Sequence, residues 1–132
     1  GGLVGALEQF AARFQRESGI AVAVTAELDP SVDNSLGRDA EVVLLRCAQE
    51  GLANVRKHAG AQAVRVVLST ADGVATVAVI DDGHGFDPAA AASGFGLSGL
   101  RDRLGLVGGE LSIDGTAGAT TLIARLPVAV SP

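Results

Sequence analysis

Residues 77–88 read VAVIDDGHGFDP, an apolar strand pattern that runs without pause into two acids and two glycines. A hairpin turn uses only one or two residues of this kind. Asp81, Asp82, Gly83 and Gly85 crowded together suit a ligand that must touch the backbone at the end of a strand. A carboxylate there can accept a hydrogen bond from an exocyclic amine, and glycines let the chain lie against a flat base. A polar turn ending a strand remains the plainer alternative. A calcium loop of the EF-hand kind fails, because Gly83 and Gly85 stand where oxygen ligands should alternate.

The elements around this stretch set its context. Upstream, AVRVVLS, the turn TADG and VATVAVID predict an antiparallel hairpin over residues 63–81. Downstream, an Ala- and Gly-rich loop, FDPAAAASGFG, leads to a helix at LSGLRDRLGLV that Gly108 and Gly109 stop. ELSIDG, TAGA and TTLIARLP then predict a second hairpin closed by Pro127. Near the start, Leu3, Leu7, Phe10 and Phe14 recur three to four apart on an amphipathic helix ended by Gly19. The strand IAVAVTAEL and the surface loop DPSVDNSLG follow. A long helix runs from about Arg38 to Ala59, with Leu45, Ala48, Leu52 and Val55 expected as its buried stripe. The order αβαββαββ is not the alternation of a doubly wound parallel sheet; it predicts an α+β fold with helices on one face of a mixed sheet.

Composition narrows the function classes. The 132 residues suit a single domain over 1–132 with an aliphatic core, since Trp and Tyr are absent and Phe occurs four times. A net charge of -5 disfavours nucleic acid, whose phosphates need a basic surface. The single Cys47 excludes an internal disulfide and suits a reducing compartment. No apolar run reaches membrane-spanning length.

Two further clusters carry chemistry. Glu50, Asn54, Lys57 and His58 recur at i, i+4, i+7 and i+8 and project from one side of the long helix, expected to lie away from its apolar stripe. A solvated helix face would look similar. Asn is nevertheless a poor mid-helix residue, and a carboxylate beside a carboxamide suits Mg²⁺, which takes few protein ligands and completes its shell with water and phosphate oxygens. Lys57 would add a mobile charge for phosphate. The other cluster, GFGLSG at 94–99, matches G-x-G-x-x-G literally. It lacks the preceding strand a dinucleotide fingerprint requires. A glycine loop feeding a helix N-terminus still offers free N–H groups to phosphate.

Taken in order, Glu-x-x-x-Asn, Asp-x-Gly-x-Gly, Gly-x-Gly-Leu and a late Gly/Thr turn resemble the N, G1, G2 and terminal boxes of the Bergerat (GHKL) ATP-binding fold. Histidine kinases, type II topoisomerases, MutL and the Hsp90 chaperones share it. QEGLANVRKHAGA, DDGHGF and GFGLSGLRDRLGLVGGELSID resemble more narrowly the catalytic ATP-binding domain of sensor histidine kinases of the DesK/NarX kind. The resemblance implies a two-layer α/β sandwich, with a mostly antiparallel five-stranded sheet, about three helices on one face and a short ATP lid between Phe86 and Gly94.

It also implies roles. Asn54 would ligate Mg²⁺, Asp81 would hydrogen-bond the adenine amino group, and Gly83 and Gly85 would shape the base pocket. Gly94, Gly96 and Leu97 would close over the phosphates, and Thr120 would sit near the adenine. Glu50 would polarise the acceptor imidazole or organise the metal, with Lys57 and His58 near the phosphates. Ala119 departs from the usual Gly-Thr of the last box, which weakens the assignment of Thr120.

The implied activity is Mg-ATP-dependent phosphorylation of an acceptor His on a separate dimerisation domain, with a response regulator downstream. Neither His58 nor His84 sits in a phosphoacceptor box. The expectation is therefore a monomeric fragment with little turnover, from the cytoplasmic part of a membrane-bound, homodimeric bacterial sensor. An anti-sigma-type serine kinase and a degenerate docking module are the alternatives: phosphorylation of a partner's Ser would mark the first, absence of ATP binding the second.

Overall fold

The computed structural model describes residues 2–28, 38–56, 62–83, 97–114 and 120–127. In chain order these form α1 (Gly2–Ser18), β1 (Ala21–Glu27), α2 (Arg38–Asn54), β2 (Ala63–Ala71), β3 (Val74–Asp81), α3 (Leu97–Leu106), β4 (Glu110–Asp114) and β5 (Thr120–Pro127). The sheet has the order β1-β2-β3-β5-β4. β1 runs parallel to β2, and every other neighbouring pair is antiparallel. This is the mixed α+β sheet expected from the element order and the mostly antiparallel five-stranded arrangement implied by the resemblance.

Local chemistry fixes the element ends. Gly19 takes a left-handed φ of 77° and donates its N–H to the Gln15 carbonyl at 2.9 Å, which stops α1. Asp72 and Gly73 both have positive φ, at 54° and 76°. They form the two-residue turn whose twist matches a right-handed β2–β3 hairpin. α3 ends where Gly108 (φ 78°) donates to the Gly105 carbonyl and Gly109 to that of Leu104, the paired bonds of a Schellman cap.

All three helices cover one face of the sheet. Along β3 burial alternates strictly, with Ala75, Val77, Val79 and Asp81 inward and the intervening residues half-buried. These meet Leu44, Cys47, Ala48 and Leu52 from α2, Leu100 and Leu104 from α3, and Leu7 and Phe14 from α1 in one core. Each fully buried Leu contributes roughly 2–3 kcal/mol relative to its exposed state. Cys47 is an ordinary member of this core, its thiol pushed up to about 12 by burial.

Three of the four residues expected in the α2 stripe, Ala48, Leu52 and Val55, are buried, and the buried face is wider than expected. Leu44, Cys47, Ala48, Gly51, Leu52 and Asn54 are the buried positions, while Leu45 is only half-buried. Gly51 lies directly against Val79 of β3, and Cys47, Ala48 and, one turn beyond Gly51, Asn54 share its buried face.

Candidate functional site

One end of the sheet gathers the candidate residues. β3 finishes at Asp81, which stands in register with Val64 at the start of β2 and with Thr120 at the start of β5. The described flanks of 57–61, 84–96 and 115–119 include Gln62, Gly83, Asp114 and Thr120, all at this end of the sheet. α2 delivers its C-terminal turn there too. An ideal Cβ on Gly51 would lie 2.9 Å from Val79 Cγ2, so the helix touches β3 two residues before Asp81, one turn before Asn54.

Two polar side chains are buried here. Asn54 is 2% exposed and Asp81 3%. Asp81 Oδ1 accepts the Gly83 N–H at 2.8 Å, which folds the chain back over the carboxylate immediately after the strand. Gly83 is itself buried. The Asn54 Nδ2 has no hydrogen-bond partner among the described residues. A buried amide nitrogen left without an acceptor costs about 1–3 kcal/mol. After Asn54 the helix continues through Val55 and Arg56 as a π-type turn, a geometry frequent at functional positions.

The inward orientation of Asn54 corrects the expectation that Glu50 and Asn54 lie away from the apolar stripe. Asn54 follows Cys47 by seven residues and Gly51 by three, so it falls on the same buried face. Glu50 is half-buried at its edge.

Asp82 has a different task from its neighbour. Its exposed carboxylate Oδ1 accepts the N–H groups of Gln62 and Ala63, each at 3.0 Å, while its own N–H donates to the Ala63 carbonyl at 3.1 Å. These bonds, that from Ala63 foremost, hold its pKa below the ordinary 3.8. They fasten the start of β2 to the end of β3. The adjacent acids thus differ: Asp81 is buried and holds the Gly83 N–H, while Asp82 is exposed and ties β2 to β3. Sequence reasoning missed this role, although an Asx side chain beside a strand end is a recognisable clamp.

The structure places Asn54, Asp81 and Gly83 at one end of the fold. Leu97 begins α3 and Thr120 begins β5. Lys57, His58, Gly85, Gly94, Gly96 and the lid expected between Phe86 and Gly94 lie outside the described residues, as do His84 and Ala119. Among the described residues no three His, Cys, Asp or Glu side chains cluster as a metal cage. A hard cation would here rest on a carboxamide and a carboxylate with ligand and water oxygens, the sparse protein shell that suits Mg²⁺. No helix among the described residues is long and apolar enough to cross a membrane.

Residues 39–130 match the family described as histidine kinase-, DNA gyrase B-, and HSP90-like ATPase. Over 105 residues the chain is 38% identical to the signal transduction histidine-protein kinase/phosphatase UhpB of Salmonella typhimurium, covering 79% of this chain and 21% of that protein. It is 35% identical over 130 residues to the sensor histidine kinase MctS of Rhizobium johnstonii, covering 96% and 28%. The chain thus spans between a fifth and a third of these relatives' length. The histidine kinase domain of a blue-light activated kinase from Erythrobacter litoralis superposes with a TM-score of 0.76 at 21% identity, over 96% of this chain and 61% of that one, which shows a shared fold.

Proposed function

The chain belongs to the histidine kinase-, DNA gyrase B-, and HSP90-like ATPase family, and on that premise we propose that it is the ATP-binding unit of a two-component sensor kinase of the DesK/NarX kind. The observation that carries this reading is the pair of buried polar side chains, Asn54 on α2 and Asp81 on β3, at the same end of the sheet. In a largely aliphatic core, Asn54 brings a buried amide nitrogen with no partner among the described residues, and Asp81 brings a carboxylate already held by the Gly83 N–H.

Asp81 would accept the adenine amino hydrogen while its other oxygen keeps the Gly83 bond, so the base is read by a carboxylate that cannot swing. Asn54 and Glu50 would hold Mg²⁺, which when bound neutralises phosphate charge. Lys57, His58, Gly94, Gly96 and Leu97 would meet the phosphates, with Gly85 and Thr120 beside the base. Phosphoryl transfer asks a protein chiefly for positioning and charge neutralisation. The γ-phosphoryl group would pass to an imidazole nitrogen of an acceptor His on a dimerisation domain, ADP leaving, and onward to a response regulator. The parent protein would be a homodimeric membrane sensor with this unit on its cytoplasmic side.

Calorimetric titration of ATP with and without Mg²⁺, beside Asp81→Asn, tests the reading. Micromolar binding that Asp81→Asn abolishes is expected. Binding that survives the substitution would put the base elsewhere, and no binding by the unaltered chain would return it to the docking-module reading.

A further inference from the structure

The contact between α2 and β3 has no slack at one point. A Cβ built on Gly51 would lie 2.9 Å from Val79 Cγ2, 3.2 Å from its Cβ and 3.4 Å from Cγ1. Apolar carbons pack at about 3.5–4.0 Å, so even a methyl group needs the helix or the strand to yield. Val79 offers no easy retreat: it is 2% exposed, β-branched, and held in the ladder between Val66 and Leu122. Gly51 and Val79 are thus the point where helix and sheet are set apart. Asn54 lies three residues beyond Gly51 and Asp81 two beyond Val79, both on the inward faces.

We propose that Gly51 is a positioning residue for the nucleotide site: by carrying no side chain it fixes the separation of Asn54 from Asp81, and with it whether one nucleotide can engage both ends. This rests on the reading that Asp81 holds the base and Asn54 the metal end of the same Mg-ATP. A side chain at position 51 would lift the turn bearing Asn54 away from β3 while leaving Asp81 and its Gly83 bond in the strand. The defect should therefore fall on the help that Mg²⁺ gives to ATP binding and spare the base.

The test is the ratio of ATP dissociation constants in EDTA and in Mg²⁺ for the unaltered chain, Gly51→Ala, Gly51→Val and the double variant Gly51→Ala/Val79→Ala, with thermal melts on each. The expected ratio drops about threefold for Gly51→Ala and about tenfold or more for Gly51→Val. Affinity in EDTA stays within about twofold of the unaltered chain, and the double variant recovers the ratio because the two sites couple directly. If Gly51→Val does not fold, Gly51→Ala and its double variant decide. Unchanged Mg²⁺ enhancement in Gly51→Ala overturns the proposal. So does an equal loss in EDTA and in Mg²⁺, which would mark the contact as merely structural, or failure of Val79→Ala to rescue. If the unaltered chain binds no ATP, the nucleotide reading itself falls and this inference with it; ATP binding without Mg²⁺ enhancement removes only the metal role of Asn54 and the present proposal.

Discussion

The two ends of the sheet are built on opposite principles. At the end far from the candidate site, each special residue satisfies the backbone around it. Asp72 and Gly73 supply the positive φ angles of the hairpin turn, Gly108 supplies that of the α3 cap, and the Gly108 and Gly109 N–H groups close on carbonyls of the same helix. Glu110 and Arg125 face each other there as an exposed pair 3.8 Å apart, which contributes little. At the site end, Asn54 and Asp81 are instead buried in an aliphatic core. The far end is composed for stability. The site end buries an amide nitrogen with no partner among the described residues, which stability alone would not select.

The strongest way to break this contrast is Gly109→Ala. A Cβ at that position would stand 2.5 Å from the Arg125 carbonyl oxygen, 3.0 Å from Leu126 Cβ and 3.1 Å from Leu104 Cδ2. A backbone oxygen cannot step aside as a side-chain tip can, so α3 or β5 must shift. The expected cost is about 3 kcal/mol, seen as a fall in Tm of about 10 °C, with ATP affinity below the transition unchanged within about twofold. Loss of affinity in step with stability would show that the two ends are not separable.

Asn54→Leu sharpens the comparison from the other side. The replacement has similar reach, removes an amide with no partner among the described residues, and adds apolar contact on a face shared with Leu52 and Val55. Without nucleotide it should raise stability by about 1 kcal/mol while eliminating Mg²⁺-dependent ATP binding. A destabilised variant would mean that the amide already holds a partner in the unliganded protein.

Sequence alone made the elements and the site motifs legible for different reasons. The stop at Gly19, the Asp72-Gly73 turn and the Gly108-Gly109 cap are local events, written within a few residues of where they act. Asp81 stood out because Asp81, Asp82, Gly83 and Gly85 together exceed what a hairpin turn uses, and because the boxes run in the order the resemblance implies. What depends on distant partners was not legible. The wider α2 face, which takes in Leu44 and Asn54 beside the expected Ala48, Leu52 and Val55, goes with the close approach of Gly51 to Val79, 28 residues apart by number. Hydrophobic spacing could not reveal this, because Leu44 and Leu45 fit the same apolar pattern almost equally well. The parallel pairing of β1 with β2 and the placing of β5 between β3 and β4 are likewise long-range choices that strand patterns do not encode.

Asp82 predicts the smallest effect and the finest distinction, since it is a locally satisfied group at the end otherwise given to function. Its carboxylate is held below 3.8 first by the Ala63 N–H and then by that of Gln62. A folded-state pKa lowered in this way means that the unfolded chain binds the proton more readily. The stabilisation is therefore fully present above the ordinary value of 3.8 and is lost as pH falls through the lower folded value. Glu17, lowered by its hydrogen bond and ion pair with Arg13 on α1, adds a slope of the same sign. Melting curves between neutral pH and about pH 3 should show Asp82→Ala with a shallower acid loss than the unaltered chain, because one carboxylate responsible for the slope is gone. Asp82→Asn, which keeps an acceptor oxygen but no charge, should share the shallow slope while retaining more of the neutral-pH Tm. Equal neutral Tm for both variants would mean that the carboxylate's charge, and not the acceptor geometry it offers to Gln62 and Ala63, fastens β2 to β3 beneath the site.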